Sequence, residues 1–140
     1  MNSQLNEIFA TPMSRIKVDG GDVLHAMKNS DIGFSSFGEA YFSWIDVAVV
    51  KAWKLHRRMV MNFLVPLGKV RFVFTIDGIE FRSIEIGENC YSRVTVPPGI
   101  WFGFKNIDIK NSLVLNVANI EHDPAEVLRK DISEIIFDWN

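Results

Sequence analysis

The sequence contains one cysteine, Cys90, in 140 residues. An internal disulfide and a thiolate metal cluster are therefore excluded within this chain. The three histidines, His25, His56 and His122, have no paired spacing of the kind that binds a metal on one strand or helix. A glycine-rich phosphate loop and a Gly-x-Ser-x-Gly elbow are also absent. We predict neither a metal nor a cofactor, and any bound phosphate must be held by cationic side chains.

Long apolar runs and a strong charge imbalance are missing too. No apolar stretch reaches the roughly 18 residues that cross a bilayer, so no membrane association is predicted. A net charge of −2 gives no support for nucleic-acid binding. The opening segment Met1–Glu7 lacks the basic and apolar parts of a signal peptide. We therefore expect a soluble cytoplasmic protein whose residues 1–140 form one globular domain.

What the chain does contain is a series of short runs rich in β-branched and aromatic residues, separated by turn signals such as Asp77-Gly78. This pattern predicts an all-β sandwich or barrel. One short helix is predicted, from Asp123 to Lys130, because Asp123 can cap it and Pro124 suits its first turn. The main predicted strands cover residues 38–47, 47–56, 59–66, 69–76, 80–86, 91–96, 100–104 and 112–120.

The segment Lys51–Arg58 is the most unusual of these strands, since it holds four cations, a tryptophan and a histidine in eight residues. Strict alternation places Lys54 and His56 on one face, and Lys51 and Trp53 on the other. An ammonium and an imidazole on one strand face indicate a site for a polar, anionic ligand. The alternative is an exposed edge strand with solvated lysines.

Three further polar residues interrupt apolar strands. Arg71 faces away from Val70 and Phe72 and either reaches solvent, pairs with an acid or binds a phosphate. Asn62 and Asn116 are short amides in apolar surroundings, and such groups hydrogen-bond either to backbone or to a ligand.

A set of motifs in a fixed order resembles the dTDP-4-dehydrorhamnose 3,5-epimerases, which are jelly-roll cupins. These motifs are Trp53-Lys-Leu-His56, the strands around Gly68, Val96-Pro-Pro-Gly-Ile-Trp-Phe-Gly-Phe104 and Ile136-Phe-Asp-Trp139. The resemblance covers the chain from about residue 47 onward. It implies a jelly-roll (cupin) fold, a homodimer and a nucleotide-sugar ligand.

The resemblance also implies roles for individual residues. His56 matches the base that removes a proton beside the sugar ketone. Cations near it, among which we single out Lys54, Arg58 and Arg71, would hold the nucleotide diphosphate. Trp101 would stack on the base or sugar. Apart from the resemblance, we predict that the strand amides Asn62 and Asn116 also bind the substrate.

The chain also departs from the family pattern. The family's tyrosine acid falls at Asn116, and Trp53 replaces the arginine that precedes Gly-Leu-His. The aspartate that orients the base has no counterpart up to Asn140. The sequence thus predicts a base without the family's acid or carboxylate.

Three functions follow from this pattern. The first is a metal-independent epimerase or isomerase that acts on a dTDP- or other NDP-linked 4-keto-6-deoxyhexose in deoxysugar or surface-polysaccharide biosynthesis. The second is a non-catalytic cupin that binds a sugar or sugar nucleotide. The third is a 3,4-ketoisomerase of the same fold. Fold alone does not choose among them.

Overall fold

A computed structural model describes residues 4–140, and in that range the chain forms twelve β-strands and three short 3-10 turns. Residues 1–3, part of the predicted domain and of the opening segment, lie outside the described residues. The first six strands are β1 Phe9–Pro12, β2 Arg15–Ile16, β3 Val23–Leu24, β4 Glu39–Ile45, β5 Val50–His56 and β6 Met61–Leu67. The other six are β7 Lys69–Thr75, β8 Phe81–Gly87, β9 Ser92–Val96, β10 Trp101–Asn106, β11 Ser112–Ala118 and β12 Val127–Arg129. The eight main predicted strands are thereby confirmed, with small shifts at their ends.

The strands form two five-stranded antiparallel sheets and one small ribbon. The first sheet has the order β1-β9-β6-β11-β4, the second β12-β5-β10-β7-β8, and the ribbon pairs β2 with β3. Strands that are distant in sequence, such as β5 and β10, lie side by side, which is the crossing connectivity of a jelly roll. The predicted all-β class is confirmed.

Aromatic side chains fill the space between the two sheets. The Phe63 ring of the first sheet lies 4.9 Å from Phe72 and 5.7 Å from Phe102 of the second, measured between centroids. Strand β7 alternates as predicted, because Val70 and Phe72 are fully buried while Arg71 points outward to Glu85. The core thus ties the sheets together, and a second buried cluster that includes Trp53, Val73 and Trp139 joins the C-terminal segment to the outer face of the second sheet.

The predicted helix from Asp123 to Lys130 is wrong. The Asp123 carboxylate does accept a hydrogen bond from the Ala125 amide, but only one 3-10 turn, Pro124–Glu126, follows it. The next residues form β12, which pairs with the edge of β5. Backbone bonds to an open strand edge outweigh the local helix signals in this segment. No helix within residues 4–140 is long and apolar enough to cross a membrane.

Candidate active site

A cavity of about 380 Å³ lies between the two sheets. Its volume falls in the range that small-molecule sites occupy. One part of its wall is aromatic and apolar, and another part is cationic. The lining residues are Tyr41, Ser43, Lys51, Ala52, Trp53, Lys54, Phe63, Phe102, Phe104, Val114, Asn116, Arg129 and Lys130.

The cationic part of the wall is formed by β5 and β12. It contains Lys51, Lys54 and Arg129, while the ammonium of the neighbouring Lys130 lies over the Trp101 ring. Within residues 4–140, Lys54 and Arg129 have no hydrogen bond or ion pair through their side chains, while Lys51 donates to the Trp44 carbonyl at 2.9 Å. Burial, together with the positive charges of Arg129 and Lys51, lowers the pKa of Lys54. Such a concentration of positive charge without an acidic partner favours binding of an anion.

Lys51 reaches this cavity because β5 contains an irregularity. In the pairing of β10 with β5, Phe102 is opposite Lys54 and the next residue, Gly103, is opposite Ala52. Trp53 is therefore an extra residue in β5. The extra residue reverses the alternation for the residues before it. The prediction that Lys51 faces away from Lys54 is therefore wrong, and both lysines line the same cavity.

His56 and Glu126 form a buried pair beside the cavity. The Nδ1 atom of His56 donates to Oε1 of Glu126, and both side chains are at most 5% exposed. A carboxylate can only accept, so Nδ1 must carry the proton, and a neutral imidazole then has its lone pair on Nε2. Nε2 has no hydrogen-bond partner among residues 4–140. This arrangement is that of a general base with an orienting carboxylate.

Glu126 is itself held in place by the backbone. Its Oε2 atom accepts the amide of Arg58 at 3.0 Å and that of Met59 at 3.4 Å. Burial acts to raise the pKa of Glu126, but the bonds from His56 and these amides outweigh it, so the pKa lies below its usual value. The carboxylate is therefore ionised at neutral pH. Sequence reasoning treated Glu126 as part of a helix start and missed this role.

Tyr41 and Asn116 form a second polar pair, which lines the cavity. Oδ1 of Asn116 accepts the backbone amide of Asn62 at 3.1 Å, so its Nδ2 atom must face Tyr41 and donates to the hydroxyl oxygen at 3.1 Å. The Tyr41 oxygen is thus an acceptor in this bond, and its own proton is available to another group. A tyrosine hydroxyl accordingly lies next to Asn116, the position at which the family pattern has its tyrosine.

The sequence does not point to Tyr41, because the family's tyrosine aligns with Asn116 and not with Tyr41. Tyr41 on β4 lies directly opposite Asn116 on the neighbouring strand β11, so the hydroxyl comes from β4. The alternation of side chains along β4 is the feature that could have indicated Tyr41. Tyr41 and Ser43 line the cavity, whereas Phe42 and Trp44 are 62% and 56% exposed.

Met59 and Phe102 connect these groups. The Met59 amide bonds Glu126, and its sulfur lies 3.9 Å from Nδ2 of Asn116. Phe102 lines the cavity and stacks on the His56 ring, with 5.9 Å between centroids. His56 therefore lies next to the cavity, stacked on one of its lining residues.

The structure brings Lys54 and Asn116 to the cavity and places the other predicted ligands elsewhere. The Asn62 side chain lies under a loop, where it donates to the Gly33 carbonyl and accepts from Thr95. Arg58 is exposed and pairs with Asp123 at 3.0 Å.

Two more predicted ligands lie on the outer face of the second sheet. Arg71 donates to Glu85 at 3.0 Å and faces outward. The ammonium of Lys130 lies over the Trp101 ring, 4.9 Å from the ring centroid. Trp101 is on the outer face of β10, opposite to the face of Phe102. Within residues 4–140, no three His, Cys, Asp or Glu side chains are grouped to hold a metal ion.

Comparison with solved structures identifies the family. No family model matches the chain. A crystal structure of a dTDP sugar isomerase from Desulfovibrio desulfuricans G20 superposes with a TM-score of 0.88 and 32% identity, over 95% of this chain and 90% of that one. The chain belongs to the dTDP-sugar isomerase and epimerase family of the cupin fold. The predicted family resemblance is confirmed.

Two other relatives extend this result. A probable low-salt glycan biosynthesis epimerase from Haloferax volcanii is 28% identical over 112 residues, 72% of each chain. A sugar 3,4-ketoisomerase from Thermoanaerobacterium thermosaccharolyticum, solved with TDP, superposes with a TM-score of 0.77 at 17% identity, over 94% of this chain and 96% of that one. The second match shows the shared fold alone.

Proposed function

We propose that this protein is an epimerase or isomerase of a dTDP- or other NDP-linked 4-keto-6-deoxyhexose. The observation that carries the proposal is the buried His56–Glu126 pair, which lies beside a cavity whose cations lack acidic partners. A base with an orienting carboxylate supports proton abstraction, and unpaired cations support binding of a diphosphate. Family membership supports the same substrate class.

His56 would act as the base in this reaction. Nε2 takes the proton from the carbon beside the ketone, and the electrons of that C–H bond move into an enolate whose negative charge lies on the former keto oxygen. Glu126 keeps the ring in the required tautomer and stabilises the imidazolium that forms. A proton delivered to the opposite face of that carbon completes an epimerisation. In a 3,4-ketoisomerisation the proton goes to C4, while the C4 oxygen is protonated and the C3 hydroxyl loses its proton to become the new ketone.

Tyr41 would supply that proton, replacing the family acid that is absent at position 116. Asn116 donates to the Tyr41 oxygen and so leaves the hydroxyl proton free for the substrate. The same bond stabilises the phenolate that remains after transfer. Lys54, which shares the cavity, would add positive charge next to the enolate or the diphosphate.

The experiment that tests this proposal measures exchange of substrate protons with deuterated solvent, using dTDP-4-keto-6-deoxyglucose. The wild type is expected to incorporate deuterium beside the ketone, and His56→Asn to lower the rate at least about a hundredfold. Tyr41→Phe should slow product formation while exchange continues in part, since abstraction precedes protonation. Arg71→Met, on the outer face, is the matched control and should keep the wild-type rate.

The same experiment decides between this proposal and the two alternatives. Binding without any exchange by the wild type would contradict the proposal and leave a sugar-nucleotide-binding cupin. Exchange with movement of the ketone from C4 to C3, visible in the carbon NMR spectrum of the product, would assign a 3,4-ketoisomerase. Inversion at carbon without ketone movement would assign an epimerase.

We also propose that the protein works as a homodimer in the cytoplasm, within deoxysugar or surface-polysaccharide biosynthesis. Outward-facing cross-strand pairs, Leu113 with Trp44 and Leu115 with Phe42, give the first sheet an apolar outer face at the open edge of β4. A second copy would cover this face and edge. The exposed free thiol of Cys90 suits a reducing compartment. Light scattering that gave the mass of one chain at micromolar concentration would contradict the dimer.

A further inference from the structure

The extra residue in β5 decides which cations enter the cavity. Lys51 and Lys54 are three positions apart, so in a regular strand their side chains would point to opposite faces. Because Trp53 has no partner in β10, both lysines instead pair with cavity-lining phenylalanines of that strand: Lys51 with Phe104, and Lys54 with Phe102. The composition of the anion site thus depends on an irregularity that must be held in place.

The C-terminal segment holds this irregularity from the outer face of the sheet. Trp53 exchanges two backbone hydrogen bonds with Lys130, each 3.1 Å long. The indole Nε1 of Trp53 donates to the Ile135 carbonyl at 3.2 Å. The Trp53 ring is 1% exposed and lies 5.3 Å from the Trp139 ring between centroids. Four contacts therefore fix one residue, and all of them come from the segment after Arg129.

Trp139 also packs where β10 has its glycine. A Cβ atom at Gly103 would lie 2.6 Å from the Ala52 side chain and 3.2 Å from the Trp139 ring. Because Gly103 has no side chain, Ala52 and Trp139 can both pack against it at the point where the β5–β10 register shifts. The indole nitrogen of Trp139 is buried without a partner among the described residues, so its ring is placed by packing and not by a hydrogen bond.

We infer that Trp53 and Trp139 are positioning residues for the anion site. By packing on the outer face, they keep the extra residue in β5 and so keep Lys51 in the cavity beside Lys54. Trp139 does not line the cavity, so it acts on a ligand only through the strands that it packs against, β5 and β10. The inference rests on the proposed function for the identity of the anion, and its probe is thymidine diphosphate.

The test is a double-mutant cycle between the tryptophan and the lysine that it positions, with affinity for thymidine diphosphate measured by calorimetry. Lys51→Met and Trp139→Ala are each expected to weaken binding about tenfold. The double variant should bind within about twofold of Lys51→Met alone, because the lysine that Trp139 positions is already gone. Trp139→Phe, which retains a ring, should recover part of the affinity.

Ile86→Ala is the matched control. Ile86 is 1% exposed and lies on β8, at the edge of the same sheet opposite to β12, so this variant loses stability without touching β5. It should keep wild-type affinity at temperatures where it is folded. Should Trp139→Ala fail to fold, the cycle is run with Trp139→Phe.

The outcomes separate this inference from the proposed function. Additive losses in the double variant, or wild-type affinity in Trp139→Ala, would overturn the positioning role while the nucleotide site stands. A wild type that binds neither thymidine diphosphate nor pyrophosphate would overturn both.

Discussion

The charged side chains of the surface and those of the cavity differ in how they are neutralised. On the surface, Arg58 pairs with Asp123 and Arg71 pairs with Glu85. In the cavity, Lys54 and Arg129 have no acidic partner among the described residues. Acidic side chains of the protein neutralise the surface arginines, whereas the cavity cations have no counter-charge until an anion binds. A missing counter-charge, more than the presence of a cation, therefore marks the ligand site.

The Glu126 carboxylate sharpens this comparison, because it lies beside the cavity yet bonds His56 and two backbone amides. Glu126→Gln removes the charge that stabilises the imidazolium and allows the wrong tautomer of His56. We expect a loss of turnover of about a hundredfold to ten-thousandfold with little change in KM. Steady-state kinetics on the keto-sugar substrate measures it. Asp123→Asn, which breaks only the exposed pair with Arg58, should leave turnover within about twofold of the wild type.

The unpaired cations themselves are the next way to break the comparison. Lys54→Met and Arg129→Met are each expected to weaken thymidine diphosphate binding about tenfold, since each removes a charge-assisted contact to phosphate. Raising the salt concentration should weaken wild-type binding and have less effect on the variants. Arg71→Met is the control and should bind as the wild type does. Equal losses in Arg71→Met and Lys54→Met would show that the site is not where the unpaired charges are.

Several elements of the fold and the site could be predicted from local pattern. Strand β7 was predictable because Val70, Arg71 and Phe72 alternate in its first half, although both faces are buried from Phe72 onward. His56 was identified from its motif, and Lys54 followed from its position two residues before it on the same face.

What escaped prediction depends on contacts between distant segments. The face of Lys51 depends on an extra residue that Lys130 and Trp139 hold in place, and alternation within β5 contains no sign of them. Glu126 reaches His56 only because β12 pairs with β5. The residues around Asp123 favour a helix locally, so the sequence gives no sign of this pairing. The proposed acid, Tyr41, lies on β4 and not on β11, so it can be recognised only when β4 is placed beside β11.

Acid stability gives a further test of the buried Glu126 carboxylate. The pKa of Glu126 in the folded state lies below its unfolded value of 4.5, so its contribution to stability is complete above that pH. That contribution is lost as the pH falls from 4.5 through the lower folded pKa. We expect the melting temperature of the wild type to exceed that of Glu126→Gln at pH 7, and the gap to narrow by pH 3. A gap that stayed constant over this range would contradict the assignment.

The smallest expected effect has the opposite sign and concerns Lys54. Because burial and neighbouring cations lower its pKa in the fold, its charge opposes folding at every pH below the folded pKa, and this cost disappears as the pH rises above the ordinary value of 10.5. Lys54→Met should therefore raise the unfolding free energy at pH 7, and with it Tm. Arg71→Met loses a surface pair and some packing, so it should leave Tm unchanged or lower it. A cavity lysine whose removal stabilises the fold while weakening nucleotide binding is the behaviour of a residue kept for its ligand. If Lys54→Met lowered Tm instead, the cavity charge would be part of the structure, and the contrast with the surface pairs would fail.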